Sequence, residues 1–346
     1  MRFIGSKIQL LDNIKEVVDR HAPDANSFCD IFSGTASVAR YFKQWYEIYS
    51  NDLLYFSYCL QKATIENPEL PAFKSLKSSL GIDNPIQYFN SMETVEMEEL
   101  IKEKRFFQNN YAPIGDRMYI TDTNALRIDY TRNTVEDWKK EELINELEYH
   151  YLVASIVEGI PFVSNISGTY GAFNKFWDVR SHKVFELIEL PVVCNGKNNK
   201  SYNEDGVQLL KHLKGDILYI DPPYNERQYM PNYHVLETAA KYDFPSLRGI
   251  TGQRSYEMQK SEFCSKKTVV GAFKELIHNA QFKHIILSYN TDGIMSLDDI
   301  ESVMKLFGIP ETFEVNHIPY RRFKSRSEVT RPEELKEMLI YISKEV

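Results

Sequence analysis

Apolar positions mark out the elements before any chemistry is considered. Ile8, Leu11, Ile14 and Val18 recur at helical spacing, so a helix is predicted directly after the first seven residues. The stretch Ser27-Phe28-Cys29-Asp30-Ile31-Phe32-Ser33-Gly34-Thr35-Ala36 reads as a strand, a turn of small residues and the start of a helix through Tyr41 and Phe42. A second strand is predicted over 46–50, ending at Asn51-Asp52-Leu53, with a helix over 53–63. From 67 the character changes. Pro68, Pro71 and Pro85 break the start, and amphipathic helices are then predicted through Met92, Val95, Leu100 and Ile101 to Phe107, and over 136–158. Alternating apolar character returns near 190–194. A helix over 207–213 then leads to an apolar run, Ile217-Leu218-Tyr219-Ile220. Further strands are predicted over 282–288, ending in a turn at 289–293, and over 335–343. No internal repeat or low-complexity tract is present.

The apolar run at 217–220 stops at Asp221-Pro222-Pro223-Tyr224. Two prolines cannot continue a ladder, so Asp221 stands at the carboxyl end of a buried strand, the edge at which open α/β sheets bind ligands. One carboxylate, a proline carbonyl and a flat ring suit a planar aromatic amine. The two acceptors can hold both amine hydrogens while Tyr224 stacks on the ring face.

Other segments add candidate chemistry. Gly5 and Lys7 at a helix start form a plausible anion site, with the Lys7 charge expected near solvent. The small residues around Gly34 allow close backbone approach, although the dinucleotide fingerprint G-x-G-x-x-G is absent, which disfavours a nucleotide-cofactor oxidoreductase. Asp52 lies near the spacing from that turn at which an acid holds ribose hydroxyls, and it can also cap the following helix. Asp205 can cap a helix or line the pocket opposite the strand end. The segment 163–177 is rich in Gly, Ser, Asn and rings. Its Asn165, Ser167, Tyr170, Asn174 and Lys175 suit nucleic-acid contacts, and an ordered surface loop accounts for them equally.

Composition narrows the partners. At 346 residues, one large or two unequal domains are expected. A net charge of -8 excludes a uniformly basic coat, so phosphate binding requires a local patch. The window 320–331 supplies one, with Arg321, Arg322, Lys324 and Arg326 interleaved with Tyr320 and Phe323; Arg227 is a further candidate. The four cysteines lack C-x-x-C spacing and read as reduced thiols, with no metal-ligand cluster. No signal-peptide pattern and no bilayer-spanning apolar run is found, so a cytoplasmic protein without membrane contact is expected.

In this order the segments resemble a DNA adenine methyltransferase of the Dam-like, or alpha, class. Residues 2–7 resemble its N-terminal cofactor motif, with Phe3 at the aromatic position and Lys7 at the lysine. Asp30-Ile31-Phe32-Ser33-Gly34-Thr35-Ala36 resembles the glycine-containing motif beneath S-adenosylmethionine. Asp52, with Leu53, matches the ribose acid, and Asp221-Pro222-Pro223-Tyr224 matches the catalytic tetrapeptide. Leu287-Ser288-Tyr289-Asn290 resembles the later pocket wall. The chain departs in having a single glycine, Gly34, where many relatives have two.

The resemblance implies an α/β fold: a Rossmann-like, seven-stranded, mostly parallel sheet with one antiparallel strand. The catalytic domain would comprise 1–66 and 190–346, and 67–189 would be an inserted helical target-recognition module. The implied activity is site-specific methyl transfer from S-adenosylmethionine to the exocyclic amine of an adenine flipped out of double-stranded DNA, without a metal. Asp205 is assigned to the cofactor pocket. A cognate restriction endonuclease is an expected partner, and the protein an expected monomer or dimer. The same tetrapeptide would also serve an amine in RNA or protein. A non-catalytic nucleic-acid-binding relative is the other alternative, and the intact Asp52 and Asp221 count against it.

Overall fold

A computed structural model describes residues 5–101, 104–319 and 336–346. They form two compact units, one built on a sheet and one on helices.

The sheet unit takes Lys7–Leu53, Lys197–Gln228 and the described residues from Lys260 onward. Its strands are β1 (Ser27–Asp30), β2 (Glu47–Asn51), β3 (Lys200–Tyr202), β4 (Lys214–Ile220), β5 (Gln281–Asn290), β6 (Glu314–Pro319) and β7 (Lys336–Ser343). They lie in the order β3-β2-β1-β4-β5-β7-β6. β7 runs antiparallel to both neighbours, and the pairs from β3 to β5 are parallel. From β1 the chain moves outward through β2 to β3, then returns to the other side of β1 as β4 and continues outward through β5. The strand order therefore reverses between β1 and β4, the place where such sheets bind ligands.

Residues Ile217, Leu218, Tyr219 and Ile220 are fully buried, as expected of a parallel strand covered on both faces. Leu218, Ile220, Ile285 and Leu287 pack with Phe273, Leu276 and Ile277 of the helix Val269–Asn279 and with Ile300 and Met304 of the helix Leu297–Phe307. Phe28 stacks on Phe42 at 4.3 Å between ring centroids, joining β1 to the helix Ser37–Phe42.

The helical unit is built chiefly from Leu54–Gly196 and Tyr229–Gln259. Its bounds differ from the expected 67–189 because two further helices belong to its core. Phe56 and Leu60 of Tyr55–Gln61, and Val235, Leu236 and Ala239 of Met230–Lys241, bury against Leu152 and Ile156 of the helix Glu146–Gly159. Glu237 fastens the two together, its carboxylate accepting the backbone amides of Tyr55 at 3.1 Å and Phe56 at 3.0 Å.

Several predicted elements divide or move. The helix expected from Met92 to Phe107 is two, Thr94–Leu100 and Phe106–Tyr111, preceded by a separate helix Pro85–Ser91. The helix Phe106–Tyr111 begins where Asp129 accepts the amides of Phe107 and Gln108, both at 2.9 Å. The helix expected over 136–158 is Asp122–Lys140 followed by Glu146–Gly159, since Asn145 and Glu148 form a reciprocal cap that starts a new helix. The helix over 53–63 is Tyr55–Gln61 with a wider turn at Lys62–Glu66, and that over 207–213 is Gly206–Leu209. Residues 190–194 join no strand; the edge strand is β3.

Candidate active site

β4 delivers Asp221 to the reversal point, and the prolines hold it there by ending the strand. Asp221 Oδ1 accepts the hydroxyl hydrogen of Tyr224 at 2.5 Å, and the Lys7 ammonium lies 3.5 Å from the same oxygen. Lys7 also donates to the Tyr224 hydroxyl and stands 4.6 Å from the centroid of its ring. On its other side Lys7 lies 3.3 Å from Glu337 Oε1. The result is a row of carboxylate, ammonium and carboxylate. The side chains of Lys7 and Glu337 are 5% and 6% exposed and that of Asp221 is 17% exposed, so Asp221 is the acid a substrate can reach.

Tyr224 is held from behind. Its carbonyl accepts the Ile294 amide at 3.0 Å, and its ring meets Tyr289 edge-on at 5.0 Å. Gly293 is required here, since a Cβ would come within 2.1 Å of the Tyr289 ring. Ser288 Oγ lies 3.5 Å from the Tyr224 hydroxyl.

Burial raises the Asp221 and Glu337 carboxyls above their ordinary range, and the Lys7 charge opposes this in both. Burial also pushes the Tyr224 phenol well up, so it stays a hydrogen-bond donor.

Asp30 ends β1, the strand beside β4, and Asp52 directly follows β2, the next strand out. Asp30 Oδ2 accepts the Ser33 hydroxyl at 3.0 Å and the Ala39 amide at 3.2 Å, while Oδ1 is buried with no hydrogen-bond partner among the described residues. Burial pushes this carboxyl up to about 7, with Asp221 adding repulsion. Asp52 Oδ2 accepts the Gly34 amide at 2.9 Å, tying the acid to the turn. Gly34 takes φ +51° and Ala36 φ +60°. The turn thus uses a left-handed residue that carries a Cβ, at a strain of about 1–2 kcal/mol. Phe32 packs edge-on against Phe263 at 5.1 Å, Thr35 Oγ1 lies 3.2 Å from Ser37 Oγ, and Leu53 is half-buried.

Three expected cofactor residues stand apart from this picture. Phe3 lies outside the described residues. Lys7, expected near solvent, is buried because two carboxylates and a phenol enclose it. Asp205 is exposed, and its Oδ1 caps the helix Gly206–Leu209 through the amides of Val207 and Gln208.

The expected DNA contacts divide into interior and surface residues. Asn165 is fully buried: Nδ2 donates to the carbonyls of Met118 and Asn174, and Oδ1 accepts the Asp178 amide, each at 3.0 Å. Tyr170 is buried too, its hydroxyl 2.9 Å from Ser164 Oγ. These two brace the loop from within. Ser167 and Lys175 are exposed on it, Asn174 is half-buried, and Phe176 is 86% exposed. Arg227 is exposed. Arg321, Arg322, Lys324 and Arg326 lie outside the described residues. Glu337 was not foreseen, although an acid directly before the buried run Met338-Leu339-Ile340-Tyr341-Ile342 is a readable signal. Among the described residues, no helix is long and apolar enough to cross a membrane.

The sequence profile described as D12 class N6 adenine-specific DNA methyltransferase matches residues 3–303. The chain is 49% identical to the Type II methyltransferase M.FokI of Planomicrobium okeanokoites, over 100% of this chain and 53% of that protein. It is 43% identical to the Modification methylase StsI of Streptococcus sanguinis, over 99% of this chain and 52% of that protein. Against the Type II methyltransferase M.NlaIII of Neisseria lactamica the identity is 34%, over 94% of this chain and 93% of that protein. The chain spans about half the length of the first two relatives and nearly all of the third. With its profile match across most of the sequence and its Asp221 tetrapeptide at the reversal of a seven-stranded sheet, the chain belongs to the D12 class N6 adenine-specific DNA methyltransferase family.

Proposed function

We propose that this protein transfers a methyl group from S-adenosylmethionine to the N6 amine of adenine at specific sites in double-stranded DNA. The observation that carries the reading is the setting of Asp221. It is an acid held by Lys7 and Tyr224, still partly exposed, one strand from Asp30 and two from Asp52.

The residues present fit the cofactor. Asp30 Oδ1 is a buried acceptor lacking a donor, and an ammonium hydrogen would satisfy it. Asp52, at the end of β2, is placed for ribose hydroxyls, and Phe32, Ser33, Gly34, Thr35, Ala36 and Leu53 line the same strand ends. When bound, S-adenosylmethionine supplies a methyl group already activated by its positive sulfur.

The chain's own work is then to position and polarise. The adenine amine is a weak nucleophile because its lone pair is delocalised into the purine. Asp221 and the Pro222 carbonyl accept its two hydrogens, which favours a pyramidal nitrogen with a directed lone pair. Pro223 stiffens the turn and Tyr224 stacks on the base. A paired base cannot reach a carboxyl at a sheet edge, so the target adenine leaves the duplex.

The helical unit supplies target recognition in this reading. Asn165 and Tyr170 fix the loop, and Ser167, Asn174 and Lys175 meet DNA. Arg227 and the basic window with Arg321, Arg322, Lys324 and Arg326 neutralise phosphates, on charge alone. A paired restriction endonuclease is the partner this activity calls for. The test is incubation of random duplex DNA with labelled cofactor, followed by mapping of modified bases. Label at adenine N6 in one sequence, absent with Asp221→Ala, is expected; label confined to RNA or protein would overturn the reading.

A further inference from the structure

Glu337 brings a third charge to this site, and the mechanism above gives it no task. It stands near the start of β7, in register with Asn290 of β5. Its Oε1 lies 3.3 Å from the Lys7 ammonium, and its Oε2 is buried with no hydrogen-bond partner among the described residues. A carboxylate so buried is costly unless a cation compensates it, and Lys7 is the cation it meets. Lys7 in turn holds Asp221 Oδ1, an oxygen it shares with the Tyr224 hydroxyl. An incoming amine that uses Oδ1 must take the place of that hydroxyl. Once it does, Lys7 is the protein side chain still holding Oδ1, and the position of Lys7 is set by Glu337.

We propose that Glu337 is a positioning residue for methyl transfer: it anchors Lys7 between two carboxylates, so that Asp221 keeps its orientation when Tyr224 gives way to the amine. The proposal rests on Asp221 accepting the amine as described above. At 6% exposure Glu337 does not itself meet substrate. The charged and titratable groups facing Asp221 are Lys7, Tyr224, Tyr219 on β4, Asp30 on β1 and Glu337 on β7. Asp221 repels the charge on Glu337, and by reciprocity Glu337 raises Asp221.

The experiment is the single-turnover rate of methyl transfer against pH, with saturating S-adenosylmethionine and a duplex bearing the site mapped for the wild type. Glu337→Gln should lower the plateau by about tenfold or more and move the acid limb down, since one repelling charge is gone. Lys7→Met should move the acid limb the other way. Cofactor affinity should hold in both. A merely structural Glu337 would lower stability and cofactor affinity together and leave the limb in place, and that outcome overturns the proposal. If Glu337→Gln does not fold, an acid limb unmoved in Lys7→Met overturns it equally. A wild type that methylates no adenine would instead refute the function; an active wild type with unshifted variants refutes this inference alone.

Discussion

The Tyr224 hydroxyl donates to Asp221 Oδ1 at 2.5 Å, one of the two carboxylate oxygens that can accept an amine. Ring and hydroxyl of one residue pull in opposite directions for an amine that uses Oδ1: the ring attracts the base and the hydroxyl competes with the amine. Tyr224→Phe should bind an extrahelical base at least as well as the wild type. Tyr224→Ala should lose about 1–3 kcal/mol of base affinity with the stacking surface. Fluorescence titration with 2-aminopurine at the target position measures both, and a Phe variant as weak as the Ala variant would rule the competition out.

Asp52 has two tasks in the proposed site, since its Oδ2 already accepts the Gly34 amide. Asp52→Ala should weaken S-adenosylmethionine binding by about 1.5–3 kcal/mol, as expected for a lost charged acceptor. Asp52→Asn keeps an acceptor for the turn but no charge, and should fall between. Calorimetric titration showing wild-type affinity in the Ala variant would leave Asp52 as a cap on the turn alone.

Asp30 makes the fold pH-sensitive. Its carboxyl is raised from 3.8 to about 7 by burial. A raised carboxyl contributes stability that is fully present below its unfolded value and is lost as pH rises through the folded one. The wild type should therefore lose stability between about pH 4 and pH 7. Asp30→Asn, which cannot ionise, should lose none through this group, so the gap between the two should widen over that window and then level off. Denaturant melts at pH 4, 5.5, 7 and 8.5 test it; a constant gap would show that Asp30 ionises normally.

The loop at 163–177 separates bracing from contact. Asn165→Ala leaves the Met118 and Asn174 carbonyls and the Asp178 amide without their partner, and should cost about 1–3 kcal/mol of stability. Lys175 is exposed, so Lys175→Ala should leave stability unchanged. If Lys175 meets a phosphate, the slope of log affinity against log salt should fall by about 0.9. Thermal melts and binding at several salt concentrations distinguish the two residues. An unchanged slope would place the phosphate contacts elsewhere.

Features written within a few neighbouring residues were legible before the fold was known. The apolar run at 217–220 closed by two prolines located Asp221, and the small turn at 33–36 with an acid after the next strand located Asp30 and Asp52. Hydrophobic period and turn chemistry act over such distances, so a strand end is announced locally. The ends of long helices were less legible. Apolar spacing runs on through 136–158 without showing that the cap at Asn145 interrupts it.

What depends on distant partners could not be read in this way. Asn165 and Tyr170 have the polar and aromatic character of surface contacts, yet both are interior because Met118, Asn174, Asp178 and Ser164 supply their hydrogen bonds. The helical unit extends to Leu54 because burial of Phe56 and Leu60 is settled by the helices they meet, including one that begins at Met230. Lys7 carries a sequence signature of an exposed cation, and folding encloses it between Asp221 and Glu337, the latter 330 positions away. Side-chain chemistry is a property of the residue, but burial and pairing belong to whatever strand the sheet brings alongside, here the antiparallel β7.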